Sequence, residues 1–326
     1  MLSVSDFNAK QILFLVTKNG EKLSFKNDNV IIKDVDDRII HQSTCYRLFA
    51  VFIVGHITIT SGLLQRAKKF GFSIVLMTPS FRVYQTISSF ADANVMLRKK
   101  QYEFNDIAVS RLLVENKISN QRELLMAIRN KSEEQQKSIC LLDEYIIHLE
   151  NANTLQALMG YEGNASRVYF KAFFDNYAWR GRKPRIKFDM INSLLDIGYT
   201  ILFSYIDAIV GIFGFDKYCG VLHTQFYMRK SLVCDLIEPF RVIIDKQVKK
   251  SINLGQFKEK DFEIIEGKWQ LKYKASSAYA GIFLGEINKY REDIFIYIRN
   301  FYRAIMRDKS KENMPKWSVE NGIGQL

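Results

Sequence analysis

The sequence predicts an α+β protein, with a small β-rich N-terminal domain over residues 1–88 and a larger all-α C-terminal domain over residues 89–326. Two patterns predict it. Up to about residue 87, short apolar runs, several of them alternating, are separated by clusters of Gly, Asn, Asp and Pro, as strands and turns require. From about Phe90 the apolar period lengthens to 3.6, the period of a helix. The 326 residues are 48% hydrophobic and hold no low-complexity tract, which suits one or two globular cores.

Gln11 to Thr17 is an apolar run, and Asn19-Gly20 after it suits the positive-φ pair of a tight hairpin turn. Glu21 to Lys26 alternates, Asn27-Asp28-Asn29 forms a second turn cluster, and Val30 to Lys33 and Arg38 to His41 read as short strands. Leu48 to Val54 is a continuous apolar strand closed by Gly55, and Ser61 to Phe70 is a short helix stopped by Gly71. Ser73 to Met77 and Arg82 to Ile87 add two strands around the Thr78-Pro79-Ser80 turn. No catalytic group stands out here. His41 and His56 each lack a partner at ligand spacing, so this domain reads as a scaffold or a dimerisation surface.

In the second part, Asn94 to Asn130 carries apolar residues at helical intervals, with an interruption expected near Asn116 to Asn120. Further helices are expected over Glu133–Glu150, Thr154–Asn176 (broken or bent at Gly160 and Gly163), Met190–Phe213 and Ser231–Ile252, the last capped by Ser231. Glu263 to Lys272 alternates around Glu266-Gly267 as a small hairpin. Ser276 to Met306 reads as one long terminal helix, and the tail from Arg307 loses its periodicity and is expected to be mobile.

Lys and Arg number 47 against 35 acidic residues, a net charge of +12 that favours a polyanionic partner, nucleic acid or an anionic surface. The N-terminus lacks the apolar core of a signal peptide. The most apolar run, Tyr199 to Phe215, contains Asp207 and reads as a buried helix, so no membrane span is expected. Cys45, Cys140, Cys219 and Cys234 show no CxxC spacing, which points to reduced thiols in a cytoplasmic protein.

Chemistry concentrates between Val221 and Arg241. His223 lies in a short loop, and Asp235 and Glu238 follow three residues apart, hence about 60° apart around a helix. Two carboxylates and an imidazole suit a divalent cation if the fold joins them. By local pattern alone the acids equally form a solvated face paired with Arg229, Lys230 or Arg241. Pro239 clashes with the carbonyl four residues earlier, that of Asp235, so a kink is expected beside both acids. Glu162 stands between Gly160 and Gly163, where the glycines imply either close approach of something to the backbone or tight helix packing. The loop WRGRKPR places Arg180, Arg182, Lys183 and Arg185 where phosphate contacts are useful, or where a polar loop is simply solvated. Tyr177 and Trp179 are candidates to stack on an unpaired base. Asn192 and Tyr199 share a helix face, where they either position DNA or water or pack with a buried hydrogen bond.

Three blocks in register, MGYEGNASRVYF, INSLLDIGYTILFSYIDAIVGIFGFDKYCGVLH and SLVCDLIEPFR, resemble the signature blocks of the CRISPR-associated adaptation integrase, the Cas-one family. The resemblance covers the whole architecture, with its specific motifs in residues 159–241. It implies that Glu162, His223 and Glu238 hold a metal, Mg²⁺ or Mn²⁺, and that Asp235 supports them. It also implies a DNA endonuclease/integrase that joins a 3′-hydroxyl of a short duplex to a phosphodiester of a repeat array. Its partners would be double-stranded DNA, a second copy in a homodimer, and a small Cas-two protein. A nuclease of branched DNA that does not integrate, or a non-catalytic DNA-binding scaffold, shares the same residues. Lys217 and Val242 stand where the family often has proline, which bears on subfamily and removes no ligand.

Overall fold

Eight strands come first and helices dominate thereafter in the computed structural model, which describes residues 3–17, 20–87, 94–104, 106–177, 179–223, 226–307 and 314–323. A one-turn helix α1 (Val4–Asn8) precedes strands β1 (Gln11–Val16), β2 (Lys22–Lys26), β3 (Asn29–Lys33), β4 (Ile39–Thr44), β5 (Leu48–Val54) and β6 (Thr58–Ile59). Helix α2 (Ser61–Phe70) then leads to β7 (Ser73–Met77) and β8 (Val83–Ile87). One sheet has the order β1-β5-β7-β8, with β5 parallel to both its neighbours, and the other has the order β4-β3-β2-β6. Parallel neighbours need a crossover, which α2 supplies between β5 and β7.

Leu48–Val54 is continuously apolar because β5 is buried on both faces. Phe49, Phe52 and Val54 join the core shared with the helices, while Leu48, Val51 and Ile53 pack with Val30 and Ile32 of β3 and Leu63 and Ala67 of α2. Asn27 and Asp28 adopt positive φ and close the β2–β3 hairpin as expected. The turn expected at Asn19-Gly20 makes no hairpin, because β1 and β2 belong to different sheets. Asn19 itself lies outside the described residues, as do residues 88–93, where the apolar period changes.

The helical region comprises α3 (Val95–Glu103), α4 (Ile107–Met126), α5 (Glu133–His148), α6 (Leu155–Phe173), α7 (Met190–Phe213), α8 (Ser231–Ile237), α9 (Arg241–Asn253), α10 (Ser276–Lys289) and α11 (Arg291–Met306). Two small hairpins interrupt it, β9 (Phe262–Ile265) with β10 (Lys268–Leu271), and β11 (Trp317–Ser318) with β12 (Gly322–Ile323). Helix α7 is apolar and long enough to cross a membrane, but 78% of its most apolar window is buried inside the protein. It is the central core helix, packed on α8, α9, α10 and α11.

Several expectations fail for physical reasons. Helix α4 runs unbroken through Asn116–Asn120. Those polar residues are buried because Asn116 and Asn120 donate to the Trp317 carbonyl and accept from the Trp317 and Val319 amides. The tail they clamp is therefore an ordered hairpin over Met314–Ile323 with Trp317 buried, not a mobile end; residues 308–313 lie outside the described part. Helix α6 is continuous through Gly160 and Gly163, where an added Cβ would meet nothing within 4 Å, so tight packing is not their role. Ser231 is the first helical residue rather than the cap, which is Lys230, and its hydroxyl accepts from Arg229 Nε. The expected terminal helix is two, α10 and α11, parted at Tyr290. The kink at Pro239 does occur: Glu238–Phe240 forms a 3₁₀ turn between α8 and α9.

Candidate functional site

Asp235 and Glu238 leave one helix turn with opposite surroundings, and both are buried rather than solvated. The Asp235 carboxylate accepts from the amides of Val221 (2.6 Å) and Leu222 (3.1 Å) on Oδ2 and from that of His223 (2.9 Å) on Oδ1. His223 Nδ1 lies 2.7 Å from the same Oδ1. A carboxylate with four such neighbours is fully engaged, so Asp235 builds the 221–223 turn and orients the imidazole. With Nδ1 as the donor, the neutral tautomer keeps its lone pair on Nε2. Gly220 permits this turn: a Cβ there would stand 2.6 Å from Asp235 Oδ2 and 2.8 Å from the Ser231 backbone. The rest of the connection is tied to α7 by Asp207, whose carboxylate pairs with Lys217 (2.8 Å) and Lys230 (2.7 Å).

Glu238, at the 3₁₀ turn, points the other way. Arg241 Nε donates to its Oε1 at 3.0 Å, and Lys117 Nζ lies 2.6 Å from its Oε2. The same ammonium pairs with Oε1 of Glu162, which also accepts from Ser166 Oγ at 3.1 Å. Burial pushes the Glu238 carboxyl up, but Arg241 and Lys117 outweigh it and hold it at about 2. Burial likewise acts to lower Lys117, yet Glu238 and Glu162 together raise it above the usual lysine range. Glu238 and the ammonium are therefore both charged at neutral pH. Of the basic partners expected for an acidic face, Arg241 takes this role, while Lys230 serves Asp207.

The fold thus brings Glu162 of α6 and Glu238 together on one cation. Hard carboxylate oxygens converging on an ammonium fit a divalent ion, and neutral His223 fits as a nitrogen donor. Among the described residues, no three His, Cys, Asp or Glu side chains stand close enough together to hold a metal. Lys117 was not legible as a site residue. Its one signal is register: Leu113, Lys117, Asn120 and Leu124 follow one stripe of α4, and a lysine on a core stripe requires a buried acid.

Lys117, Glu162, Glu238 and Arg241 line a cleft of about 970 Å³, whereas His223 and Asp235 are not among its lining residues. Arg82, from the turn before β8, and Arg185, Lys187 and Lys268 line the same cleft. None of Arg82, Lys187 and Lys268 stands in a recognisable motif; only the fold gathers them. Within WRGRKPR, Arg180, Lys183 and Arg185 are exposed, and Lys183 Nζ lies 5.0 Å from the Phe188 ring centre. Arg182 is instead internal, bonded to Asp196 (2.6 Å) and Asn192 (3.1 Å). Asn192 also accepts from the Lys183 amide and donates to the Gly181 carbonyl, so it knits the loop to α7 by buried hydrogen bonds. Trp179 packs against Phe170 and Phe174 and donates to Asp189, and the Tyr177 hydroxyl bonds Asn253; these contacts hold the loop base rather than offering a free stacking surface. Lining the same cleft, Asp245 accepts from Tyr169 (3.0 Å) and Tyr199, and burial raises its carboxyl to about 6 against those two bonds. Arg241 stacks over Tyr199 at 4.8 Å, which fixes the guanidinium that serves Glu238.

A strand-rich region joined to a helical region that frames a basic cleft around a buried carboxylate pair defines the class of protein. The chain belongs to the CRISPR-associated Cas1 family: the family model described as CRISPR associated protein Cas1 matches residues 14–283. It is similar to the CRISPR-associated endonuclease Cas1 3 of Thermus thermophilus, 29% identical over 266 residues and 78% of each chain. A similar relative in Chlorobaculum tepidum, CRISPR-associated endonuclease Cas1 1, is 29% identical over 270 residues, covering 77% of this chain and 78% of the relative. Among solved structures, a chain of a Cas6-RT-Cas1–Cas2 complex superposes with a TM-score of 0.83 at 25% identity, covering 95% of this chain. This chain spans 36% of that longer one. A casposase bound to integration product gives a TM-score of 0.80 at 20% identity over 95% of both chains. A Cas1 protein from Thermotoga maritima gives 0.79 at 17% identity, covering 97% of this chain and 100% of that one. At the last two identities the likeness is one of fold.

Proposed function

We propose that this chain is a metal-dependent DNA endonuclease and integrase that inserts short DNA fragments, spacers, into a CRISPR array by transesterification at phosphodiesters. The observation that carries the reading is the convergence of Glu162 and Glu238 on one cation in the wall of a basic cleft. The endonuclease names of the relatives, and the integration product held by the casposase of like fold, support it. Mg²⁺ or Mn²⁺, when bound, neutralises charge developing on the phosphate and orients the attacking 3′-hydroxyl.

The chain's own residues divide the work. Glu162, Glu238 and His223 hold the ion, and Asp235 aims His223 through Nδ1. Arg241 keeps Glu238 ionised. Arg180, Lys183 and Arg185 contact the DNA backbone, with Arg182 bracing their loop from inside against Asp196. Double-stranded DNA is the substrate in the cytoplasm, and the net charge of +12 suits a long DNA footprint. The chain works as a homodimer with a small Cas2 partner. The Cas1–Cas2 assembly of similar fold supports the partner, and exposed Val35, Ile39, Ile40 and Tyr46, beside and along edge strand β4, support the dimer.

The test is strand joining. A short duplex with free 3′-hydroxyl ends, incubated with repeat DNA and Mn²⁺, is expected to give a joined half-site product. Glu162→Ala, His223→Ala and Glu238→Ala are expected to abolish it while folding and DNA binding persist. Joining left intact in all three would sink the site assignment. Cleaved strands without joined product would favour a branched-DNA nuclease, and no metal-dependent activity at all would favour a scaffold.

A further inference from the structure

The acid pair is already neutralised. Two carboxylates, Glu162 and Glu238, face two cations, Lys117 and Arg241; Lys117 and Glu238 are buried (8% and 5% exposed), while Glu162 and Arg241 are partly exposed (27% and 28%). Adding a divalent ion while keeping both cations would leave a local surplus of two positive charges around the buried Glu238 and Lys117, which a partly desolvated site disfavours. One cation must therefore leave. Arg241 is held at both ends of its argument, bonded to Glu238 through Nε and stacked on Tyr199. Lys117 is a compact ammonium on a flexible four-carbon stem, bonded only through its charge, and its side chain already lines the cleft.

We propose that Lys117 is the resident counter-ion of the acid pair, and that a divalent metal binds by displacing its ammonium from between Glu162 and Glu238 into the cleft. This rests on the metal reading of the site given above. Lys117 then sets how tightly metal is held, because metal and ammonium compete for the same oxygens, and it stabilises the metal-free protein by keeping the buried Glu238 and the partly exposed Glu162 paired. Once displaced, the ammonium stays in the basic cleft, where an incoming phosphodiester would take the place of the acids as its partner.

Lys117→Met keeps the stem and removes the charge. Mn²⁺ binding to the full-length variant, followed by the electron paramagnetic resonance signal of free ion, is expected to tighten by about tenfold or more over wild type. Its melting temperature is expected to fall in chelator and to recover more than that of wild type when Mn²⁺ is added. Binding that is unchanged or weaker in the variant would overturn the displacement. Since the variant can fail to fold, a second measurement uses the wild-type protein: brief acylation with acetic anhydride, with mass spectrometry reading the modified lysines. Lys117 is expected to be protected without metal and to become reactive in saturating Mn²⁺. Protection that persists with Mn²⁺ bound would refute the displacement and leave the metal site standing. Absence of Mn²⁺ binding in both wild type and variant would refute the metal reading and the displacement together.

Discussion

Strand β5 and helix α4 both run through the interior, yet they bury opposite kinds of side chain. Every residue of Leu48–Val54 is buried and apolar. Helix α4 buries Asn116, Lys117, Asn120 and Gln121 among its leucines and valines. The apolar strand gains from burial itself, roughly 25 cal/mol per Å² removed from water. The polar stretch of the helix loses on burial unless its groups are paired, and each of these four residues has a partner from a distant segment, Trp317, Val319, Glu162, Glu238 or Ser166, although Gln121 is bonded only through Nε2. The difference teaches where function sits. A scaffold needs only the first kind of interior; the second holds charges in place at a cost, and it lies against the cleft.

Substitutions can break this comparison in graded steps. Asp235→Ala is expected to have the largest effect, since it strands three backbone amides and the His223 ring. A loss on the order of 4 kcal/mol in urea unfolding is expected, together with loss of strand joining. Asp235→Asn keeps the shape but removes the charge; it should fold better than the alanine variant and still join strands poorly.

Acid titration comes next and concerns Glu238. Its folded value of about 2 lies below the ordinary 4.5, so it contributes stability that is present above pH 4.5 and lost as pH falls toward 2. About 3 kcal/mol follows from a depression of that size in metal-free protein. Asp245 runs the other way: its value is raised to about 6, so the stability it contributes is full below pH 3.8 and is lost as pH rises through 6. Denaturation curves across pH 2 to 7 in wild type, Glu238→Gln and Asp245→Asn separate the two signs. An acid limb unchanged in Glu238→Gln would mean the carboxylate pair is not what the low pH disrupts.

Smaller effects sharpen the contrast. Ile53→Val in β5 is expected to cost about 1 kcal/mol, with Mn²⁺ affinity unchanged, because its neighbours are all apolar. Gly163→Ala is expected to gain about 0.5–1 kcal/mol, since the site is helical and an added methyl meets nothing within 4 Å. If that variant, stable as it is, lost DNA binding, an outside molecule would be shown to approach α6 at that position.

How much was legible in the sequence follows the same division. Runs such as Leu48–Val54 and Met190–Phe213 were readable to the residue because apolar periodicity is local and is enforced by burial. The Glu266-Gly267 hairpin and the Pro239 kink were readable because turn chemistry is local too. The polar centre of α4 looked like a break because its partners lie far along the chain, and nothing near Asn116 announces Trp317. The α10–α11 break at Tyr290 carries neither Gly nor Pro, so it left no mark to read. At the candidate site, Glu162, His223, Asp235 and Glu238 stood out through motif resemblance. What spacing could not tell is that two acids three residues apart face different ways, one engaged by the 221–223 turn and one by Lys117 and Arg241. That division is made by tertiary contacts alone.

The central claim is that Glu162 and Glu238 form a cation site now held by Lys117. Anomalous scattering from crystals grown with Mn²⁺ tests it most directly. A peak bonded to both carboxylates, with the Lys117 ammonium moved into the cleft, is the result this account predicts. Crystals saturated in Mn²⁺ that show no peak there, with Lys117 still bridging the two acids, would contradict it.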